Sequence, residues 1–376
     1  MRIGIDGLLL HGQYSGVEGS IRQLLRELSV DGGEHNYTIY VADDFGDDSL
    51  ERPGLELSRM EFTGEQKIQR VLWTQTRFAR RARNDGMQLL HGPGYILPGG
   101  WRGPSVVTVY DIIALSHPEL CTLSNTFYYR TFLPRTIARA SAVVVPAEAV
   151  KTEIVDRVGV PPEKIRVAPL GVGGEFTPNL PRGRVDEVAE RHGIEGPYLL
   201  CVGNIEPKKN LAATIRAFGI ARKQADLPHK LVLAGGKSWK SADVDAEISR
   251  LEPEAIHRTG YTPADDLPAL YAGADTLLFW SLVEGFGLPA LEAMASGTPV
   301  ICSDRGALPE VVGDAARIVP IGPPEEFAEA LVEVLGNKKV RRQLSRRGLA
   351  RAKECTWRKH VDAVLRVYAE VGERGV

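Results

Sequence analysis

Two glutamates, Glu284 and Glu292, frame the segment whose residue types are best suited to chemistry. A glycine-rich turn follows the first of them and leads into Pro289, whose fixed φ suits the first turn of a helix. Unpaired backbone N–H groups at a helix start can bind an anion, and the two carboxylates can accept hydrogen bonds from hydroxyl groups. The segment therefore predicts a site for a sugar phosphate or a sugar nucleotide. A buried strand-turn-helix unit with two solvated glutamates is the alternative, and it leaves the coincidence of glycines, proline and acids unexplained.

A pair of lysines, Lys208 and Lys209, follows the strand predicted over residues 198–202. Two ammonium groups at a strand-to-helix junction can neutralise a diphosphate, and each charge-assisted hydrogen bond is worth roughly 1.5–3 kcal/mol. Residue type alone leaves a second interpretation open, in which both lysines are solvated in the first turn of a helix.

Short apolar runs alternate with helical patterns along the chain, and these elements must position the candidate residues. Such alternation predicts an α/β fold with parallel sheets that are covered on both faces. A stretch rich in glycine and proline, Pro169–Arg184, has the composition of a linker and predicts a domain boundary. Strands are expected over residues 2–6, 37–41, 89–91, 105–109, 142–145, 198–202, 230–234, 276–279 and 299–302, and helices over residues 17–28, 66–83, 124–140, 147–158 and 357–371.

The motif EGFGLPALEAMASGTPV, in which seven residues separate two glutamates, resembles the signature of the retaining GT-B glycosyltransferases of family 4. The resemblance covers nearly the whole chain, including VYDII and LPEVV, and the segments VTVYDII and DLPALY resemble its mannosyltransferase branch. It implies two facing Rossmann-like domains with parallel sheets. Residues 1–174 are then the acceptor domain, residues 175–356 the nucleotide-sugar donor domain, and residues 357–376 a helix that packs back on the first domain.

The resemblance also implies roles for individual residues. Glu284 is expected to hold the donor sugar hydroxyls, Glu292 the nucleotide ribose and Lys209 the diphosphate. Glu284, Lys209 and Tyr110 are the expected catalytic residues. The further donor-binding residues are expected in loops that follow strands: Gly16, Gly203, Asn204, Lys208, Gly235, Lys237, Tyr261, Gly285, Phe286, Gly287 and Leu288.

Two positions depart from the family pattern. Tyr110 stands where the family usually has a histidine that contacts the donor sugar, and a tyrosine with a pKa near 10 cannot act as a base at neutral pH. Asn204 is neutral where a further basic residue is often found. These departures keep open an alternative, a sugar-nucleotide-binding pseudoenzyme that lacks turnover. A dinucleotide-dependent epimerase or dehydrogenase fits less well, because GLLLHGQYSG follows the first strand instead of G-x-G-x-x-G.

The expected reaction moves a hexose, first of all mannose, from a GDP- or UDP-linked donor to a hydroxyl of a glycan or lipid-linked acceptor, with retention at the anomeric carbon. No metal or other cofactor is expected, because lysines and backbone dipoles take that role in the resembled family. His91, His117 and His360 also lack partners at metal-ligand spacing.

The composition limits which binding partners and which cellular compartment are expected. A net charge of -2 argues against a nucleic-acid partner. Four cysteines far apart in the sequence fit a reducing compartment, and the chain opens on a strand without a signal-peptide pattern. The expected location is cytoplasmic.

A basic amphipathic segment predicts peripheral contact with the inner face of an anionic membrane. Basic helices of this kind gain roughly 1 kcal/mol per basic residue near such a surface, although a merely solvated helix face is the alternative. Apolar residues accompany the charges: Ile68, Val71, Leu72 and Phe78. The basic residues form two segments without acids, the second near Tyr128: Lys67, Arg70, Arg77, Arg80, Arg81 and Arg83, then Arg130, Arg135 and Arg139.

Overall fold

The structure is a computed structural model, and it describes residues 1–10, 16–64, 66–236 and 241–374. The chain forms two compact units, and in sequence the second is inserted into the first. The first unit comprises Met1–Leu170 together with the segment from Trp357 onward, and the second comprises Gly171–Thr356. The sequence placed the boundary after residue 174, whereas the contacts place it after Leu170.

A seven-stranded parallel sheet forms the centre of the first unit, in the order β3-β2-β1-β4-β5-β6-β7. Strands β4, β5 and β6 are buried along their whole length, because helices cover both faces of a parallel sheet. The strands are β1 (Arg2–Asp6), β2 (Asn36–Ala42), β3 (Leu55–Met60), β4 (Leu89–Gly92), β5 (Ser105–Thr108), β6 (Ala142–Val145) and β7 (Ile165–Val167). The helices up to the boundary are α1 (Gly16–Val30), α2 (Lys67–Thr76), α3 (Phe78–Asn84), α4 (Ile113–Ser116), α5 (Leu123–Arg139) and α6 (Glu148–Val158).

The second unit contains a six-stranded parallel sheet in the order β10-β9-β8-β11-β12-β13. Its strands are β8 (Tyr198–Val202), β9 (Lys230–Ala234), β10 (Ile256–Gly260), β11 (Thr276–Phe279), β12 (Val300–Cys302) and β13 (Arg317–Ile318). Its helices are α7 (Arg182–Arg191), α8 (Leu211–Ala225), α9 (Ala242–Ile248), α10 (Leu267–Gly273), α11 (Leu288–Ala295), α12 (Leu308–Val312), α13 (Pro324–Gly336) and α14 (Lys338–Glu354).

The last helix, α15 (Trp357–Arg374), belongs to the first unit and contributes several valines and Tyr368 to its core. A hydrogen bond of 2.6 Å joins the Tyr368 hydroxyl to Nδ1 of His91, and a second of 2.9 Å joins Nε2 of His91 to the Thr108 hydroxyl. Burial lowers the pKa of His91 to about 3, so the ring is neutral when it makes these bonds. The helix is thus fixed to the sheet by polar contacts as well as by apolar packing.

The predicted α/β fold with two parallel sheets is confirmed. One predicted helix is wrong: residues 66–83 form two helices, α2 and α3, which meet at Arg77. The Phe78 ring is buried, stacks on Trp73 and contacts Tyr40. This packing directs the chain toward the core at the point where the two helices meet. Four strands were also missed, β3, β7, β10 and β13, and they are the outer strands of the two sheets.

Candidate functional site

The glycine turn between the two glutamates lies between β11 and α11. Gly287 precedes α11 with a φ of 108°, and a Cβ there would meet the Leu308 side chain at 2.5 Å. The Glu284 carbonyl accepts a hydrogen bond from the Ala307 N–H at 3.0 Å, and a Cβ on Gly306 would approach that carbonyl to 2.1 Å. The loop after β12 therefore packs against the backbone of Glu284 and requires glycine at position 306.

The side chain of Glu284 is buried and forms an ion pair with Lys209. Nζ of Lys209 donates to Oε1 of Glu284 at 2.7 Å, and it also lies 4.6 Å from the centre of the Phe279 ring. Burial acts to raise the pKa of Glu284, but the charges of Lys209 and Lys208 outweigh it and hold the pKa below its usual value. Glu284 is therefore an ionised carboxylate at neutral pH.

The second glutamate, Glu292, lies in a different electrostatic environment. The Tyr271 hydroxyl donates to its Oε2 at 2.7 Å. Burial raises the pKa of Glu292 to about 7, and the charge of Glu175 adds to this, while the Tyr271 bond and the charge of Lys209 oppose it. The two carboxyl groups of the motif thus differ in protonation near neutral pH, and Glu292 can both donate and accept hydrogen bonds.

We expect the titration of Glu292 to appear in the pH dependence of stability. The folded chain keeps this proton up to a pH of about 7, against an ordinary pKa of 4.5, so between these values the folded state binds more protons than the unfolded state. The free energy of unfolding then falls as pH rises, by up to about 1.4 kcal/mol per pH unit. Glu292→Gln removes this contribution, whereas Glu329→Gln, at an exposed position of α13, keeps it. Urea unfolding of all three proteins across this range measures the effect, and a pH-independent difference between wild type and Glu292→Gln contradicts it.

The lysine pair lies beside the glycine turn. Lys208 and Lys209 end a short 3₁₀ turn after β8, and Asn210 follows in the left-handed region with a φ of 53°. The Leu282 N–H donates to the Lys208 carbonyl at 2.8 Å. This bond joins the loop after β8 to the loop after β11, so the two predicted groups of residues meet.

Neighbouring loops at the same edge of the second sheet are joined in the same way. The Gly203 N–H donates to the Ala234 carbonyl at 2.9 Å, and the Gly235 N–H donates to the Gly260 carbonyl at 3.0 Å. Tyr261, next to Gly260, is largely exposed. The carboxyl edge of β10, β9, β8 and β11 thus gathers most of the predicted donor-binding residues: Gly203, Asn204, Lys208, Lys209, Gly235, Tyr261, Glu284, Gly285, Phe286, Gly287, Leu288 and Glu292.

Two predicted residues lie in the first unit, and a third falls outside the described residues. Lys237 is outside the described residues. Gly16 and Tyr110 belong to the first unit, where the Ser20 hydroxyl donates to the Gly16 carbonyl at 2.8 Å and a hydrogen bond joins the side chains of Ser20 and Tyr110. Tyr110 is buried, and the centre of its ring lies 5.6 Å from the centre of the Tyr95 ring. Burial raises the pKa of Tyr110. The Tyr110 phenol therefore stays protonated and cannot serve as a base.

Sequence reasoning missed the roles of Tyr271, Phe279 and Gly306 in this site. Tyr271 fixes Glu292, the Phe279 ring lies beneath the ammonium group of Lys209, and Gly306 allows the close contact with the Glu284 backbone. Each of these residues contacts a partner that is distant in the sequence, so no local motif predicts its role. Of the three, Phe279 had a signal in the sequence, as the last residue of the strand predicted over residues 276–279.

In the part of the chain that the structure describes, no three His, Cys, Asp or Glu side chains are grouped so that they could hold a metal ion. Within the same described ranges, no helix combines the length and the apolar character needed to cross a membrane.

Comparisons with known proteins match the chain along most of its length. The family model described as Glycosyltransferase Family 4 matches residues 14–173, and that described as Glycosyl transferases group 1 matches residues 185–351. O-antigen chain mannosyltransferase B of Escherichia coli is 29% identical over 281 residues, which cover 74% of each chain. D-inositol 3-phosphate glycosyltransferase of Saccharomonospora viridis is 30% identical over 295 residues, or 74% of this chain and 67% of the relative. Sucrose-phosphate synthase of Thermosynechococcus elongatus is similar in structure over 100% of both chains, with a TM-score of 0.79 and 18% identity.

Proposed function

The chain belongs to family 4 of the GT-B glycosyltransferases, and from this premise we propose that it transfers a hexose from a nucleotide-diphosphate sugar to a hydroxyl of a glycan or lipid-linked acceptor, with retention at the anomeric carbon. The observation that supports this reaction most directly is the buried pair of Lys209 and Glu284 at the carboxyl edge of the second sheet. Buried ion pairs add little net stability, because desolvation offsets much of their attraction. A binding role explains the pair better, since an ammonium group suits a diphosphate and a carboxylate suits sugar hydroxyls.

In the proposed reaction, the bond between the anomeric carbon and the diphosphate oxygen breaks while a bond to the acceptor oxygen forms on the same face. The proton of the acceptor hydroxyl passes to the leaving phosphate oxygen. Lys209 and the N–H groups at the start of α11 stabilise the negative charge that develops on the leaving group. Glu284 holds the sugar hydroxyls, and Glu292 holds the ribose.

Mannose is the proposed sugar because the first relative above is named a mannosyltransferase. GDP-mannose is the first donor to test, with UDP-sugars as the alternative. No metal ion or further cofactor is part of the proposal, and the proposed location is cytoplasmic. The relatives above are named as transferases, so they give no support to the alternative of a binding protein without turnover.

A donor screen followed by a turnover assay tests the proposal. Nucleotide sugars are compared by thermal unfolding, and a true donor at 100 times its dissociation constant stabilises the fold by about 2.7 kcal/mol. Release of the nucleoside diphosphate is then measured with mannose-terminated oligosaccharides, with and without excess EDTA, and NMR gives the anomeric configuration of the product. We expect turnover that survives EDTA and yields the configuration of the donor. Donor binding without transfer to any acceptor would favour the pseudoenzyme, and an inverted product or loss of activity in EDTA would contradict the mechanism.

A further inference from the structure

Four tyrosine rings form a row at the carboxyl edge of the first sheet. Tyr110 follows β5, Tyr95 follows β4, and Tyr129 and Tyr128 lie on α5. Along the row in this order, the centres of neighbouring rings are 5.6, 5.3 and 5.2 Å apart. All three contacts are edge to face, an arrangement that aromatic rings prefer. The first two rings are buried and the last two are partly exposed, so the row begins in the core and ends at the surface.

Tyr95 has an unusual backbone conformation within this row. Its φ is 72°, in the left-handed region that few residues other than glycine adopt. Its hydroxyl donates to Oδ2 of Asp111 at 3.1 Å, and the Ile113 N–H donates to Oδ1 of Asp111 at 3.1 Å. Strained residues persist where the surrounding structure fixes them, and they are concentrated at binding and catalytic sites. The conformation of Tyr95 therefore points to a function at this edge.

A second carboxylate, Asp6, ends β1 at the same edge and is half-buried. The Leu8 N–H donates to its Oδ1 at 3.1 Å, whereas Oδ2 has no hydrogen-bond donor among the residues that the structure describes. Burial raises the pKa of Asp6 to about 6, against the opposing effects of the Leu8 bond and the charge of Arg70. Asp6 is therefore mostly ionised at neutral pH and can accept a further hydrogen bond through Oδ2.

Tyr128, at the exposed end of the row, lies near Asp6. Burial raises the pKa of Tyr128 to about 12, and the charge of Asp6 adds to this effect while that of Arg70 opposes it. The three side chains are thus close enough to act on one another electrostatically. Nη1 of Arg70 also donates to the Gly64 carbonyl at 2.7 Å, which fixes the guanidinium group.

The sheet places Asp6 and Asp111 on either side of β4. The three strands lie in the order β1-β4-β5, and their registers bring the carboxyl ends of all three to the same level. Two strand spacings amount to about 10 Å. That span leaves room for one sugar ring between the loops that carry the two carboxylates.

These groups together have the chemistry of a site for an uncharged sugar. A sugar ring combines a flat apolar C–H face with hydroxyl groups. The ring of Tyr128 offers an apolar face, and the carboxylate of Asp6 accepts hydrogen bonds from hydroxyls. A phosphate group is an anion, so the charges of Asp6 and Asp111 repel it.

We propose that Asp6 and Tyr128 bind the acceptor and select an uncharged sugar over a phosphorylated one. Asp6 accepts a hydrogen bond from a sugar hydroxyl through Oδ2, and the Tyr128 ring contacts the apolar face of the sugar. Tyr95 is a positioning residue that holds Asp111 and the Tyr129 ring beside them. The inference rests on the proposed function, because it names the acceptor class of the same reaction, but sugar binding at this edge is measurable without turnover.

Binding of two matched disaccharides tests the selection directly. The full chain is titrated with methyl α-mannobioside and with the same disaccharide carrying a phosphate on its terminal sugar. NMR signals of the disaccharides give both dissociation constants. We expect the uncharged disaccharide to bind more than about tenfold more tightly, because the phosphate meets like charges at short range.

The variant Asp6→Asn separates a binding role from a structural one. Its amide oxygen can still accept from the Leu8 N–H, while an NH₂ group replaces the acceptor at Oδ2. We expect it to weaken the uncharged disaccharide more than about tenfold, the loss of a hydrogen bond to a charged group. The phosphorylated disaccharide should change much less, since it loses a repulsion as well. Tyr128→Leu, which lacks the aromatic face, should weaken both disaccharides alike.

A matched control is Asp156→Asn, at an exposed position near the C-terminal end of α6 in the same unit. It should bind both disaccharides as wild type does. Thermal unfolding of every variant checks the fold. Stabilisation by a nucleotide sugar should be unchanged in all of them, because the donor-binding residues that the variants leave untouched lie in the second unit.

Three outcomes overturn the proposal. The wild type binds neither disaccharide, it binds the phosphorylated one as tightly as the other, or Asp6→Asn weakens both by the same factor or neither. Failure of the proposed function looks different. In that case no nucleotide sugar stabilises the chain or is turned over, while the uncharged disaccharide still binds in a manner that depends on Asp6.

Discussion

Replacing Glu284 by glutamine is expected to lower kcat by about 10²–10³-fold while leaving the fold intact. The glutamine keeps the volume of the side chain and can still accept a hydrogen bond from Lys209. It removes the negative charge, which in the proposed reaction holds the sugar hydroxyls in the transition state. Steady-state release of the nucleoside diphosphate measures the change, and circular dichroism checks the fold.

The matched control for this substitution is Glu329→Gln, which changes an exposed carboxylate in the same unit. Its kcat should equal that of the wild type. The assignment of Glu284 is wrong if the Glu284→Gln protein, correctly folded, keeps its kcat within a few-fold of wild type.

Replacing Lys209 by alanine is expected to weaken the binding of a free nucleoside diphosphate by about 1.5–3 kcal/mol, the worth of one charge-assisted hydrogen bond. The loss should be similar for the free diphosphate and for the sugar donor, because the ammonium group contacts the part that both share. Titration calorimetry with GDP and UDP measures it. Equal affinities for wild type and variant would place the diphosphate away from the loop after β8.

The ion pair complicates this substitution, and the double variant resolves the complication. Without Lys209, the carboxylate of Glu284 is buried beside fewer positive charges, so the alanine variant also loses stability. Adding Glu284→Gln should restore much of that stability without restoring diphosphate affinity. Glu284→Gln alone should bind free diphosphate at least as tightly as wild type, because the positive charge of Lys209 is then no longer neutralised by a carboxylate. Recovery of affinity in the double variant would mean that the loss came from misfolding.

The sequence predicted the central strands of both sheets but not their outer strands. Central strands of parallel sheets are buried on both faces, and their apolar runs, such as Ala142–Val145, stand out in the sequence. The outer strands β3 and β10 are partly exposed and carry polar residues, as in LELSRM and IHRTG. The outer strands β7 and β13 contain only three and two residues. An edge strand pairs with a neighbour on one side only, so the apolar run that marks it in the sequence is weaker.

The candidate site also contains some residues that could be predicted from the sequence and others that could not. Residues that belong to one continuous motif, such as Glu284 and Glu292, could be predicted because their spacing reports their geometry. The position of Lys209 could be predicted only as far as the loop after β8, while its contact with Glu284 depends on how β8 and β11 pair. Tyr128 could not be placed near Asp6, because that proximity depends on how α5 packs over the ends of the strands.

The return of α15 to the first unit has a consequence for the order in which the chain folds during synthesis. Residues 1–170 leave the ribosome before Tyr368 and the valines of α15 exist, so the core around His91 is incomplete at that stage. At translation rates of roughly 5–20 residues per second, the missing helix follows on the order of 10–40 s later. The second unit is continuous in sequence and has all of its core residues when Thr356 emerges. The unit whose synthesis begins first is therefore the one that must wait until α15 has been made.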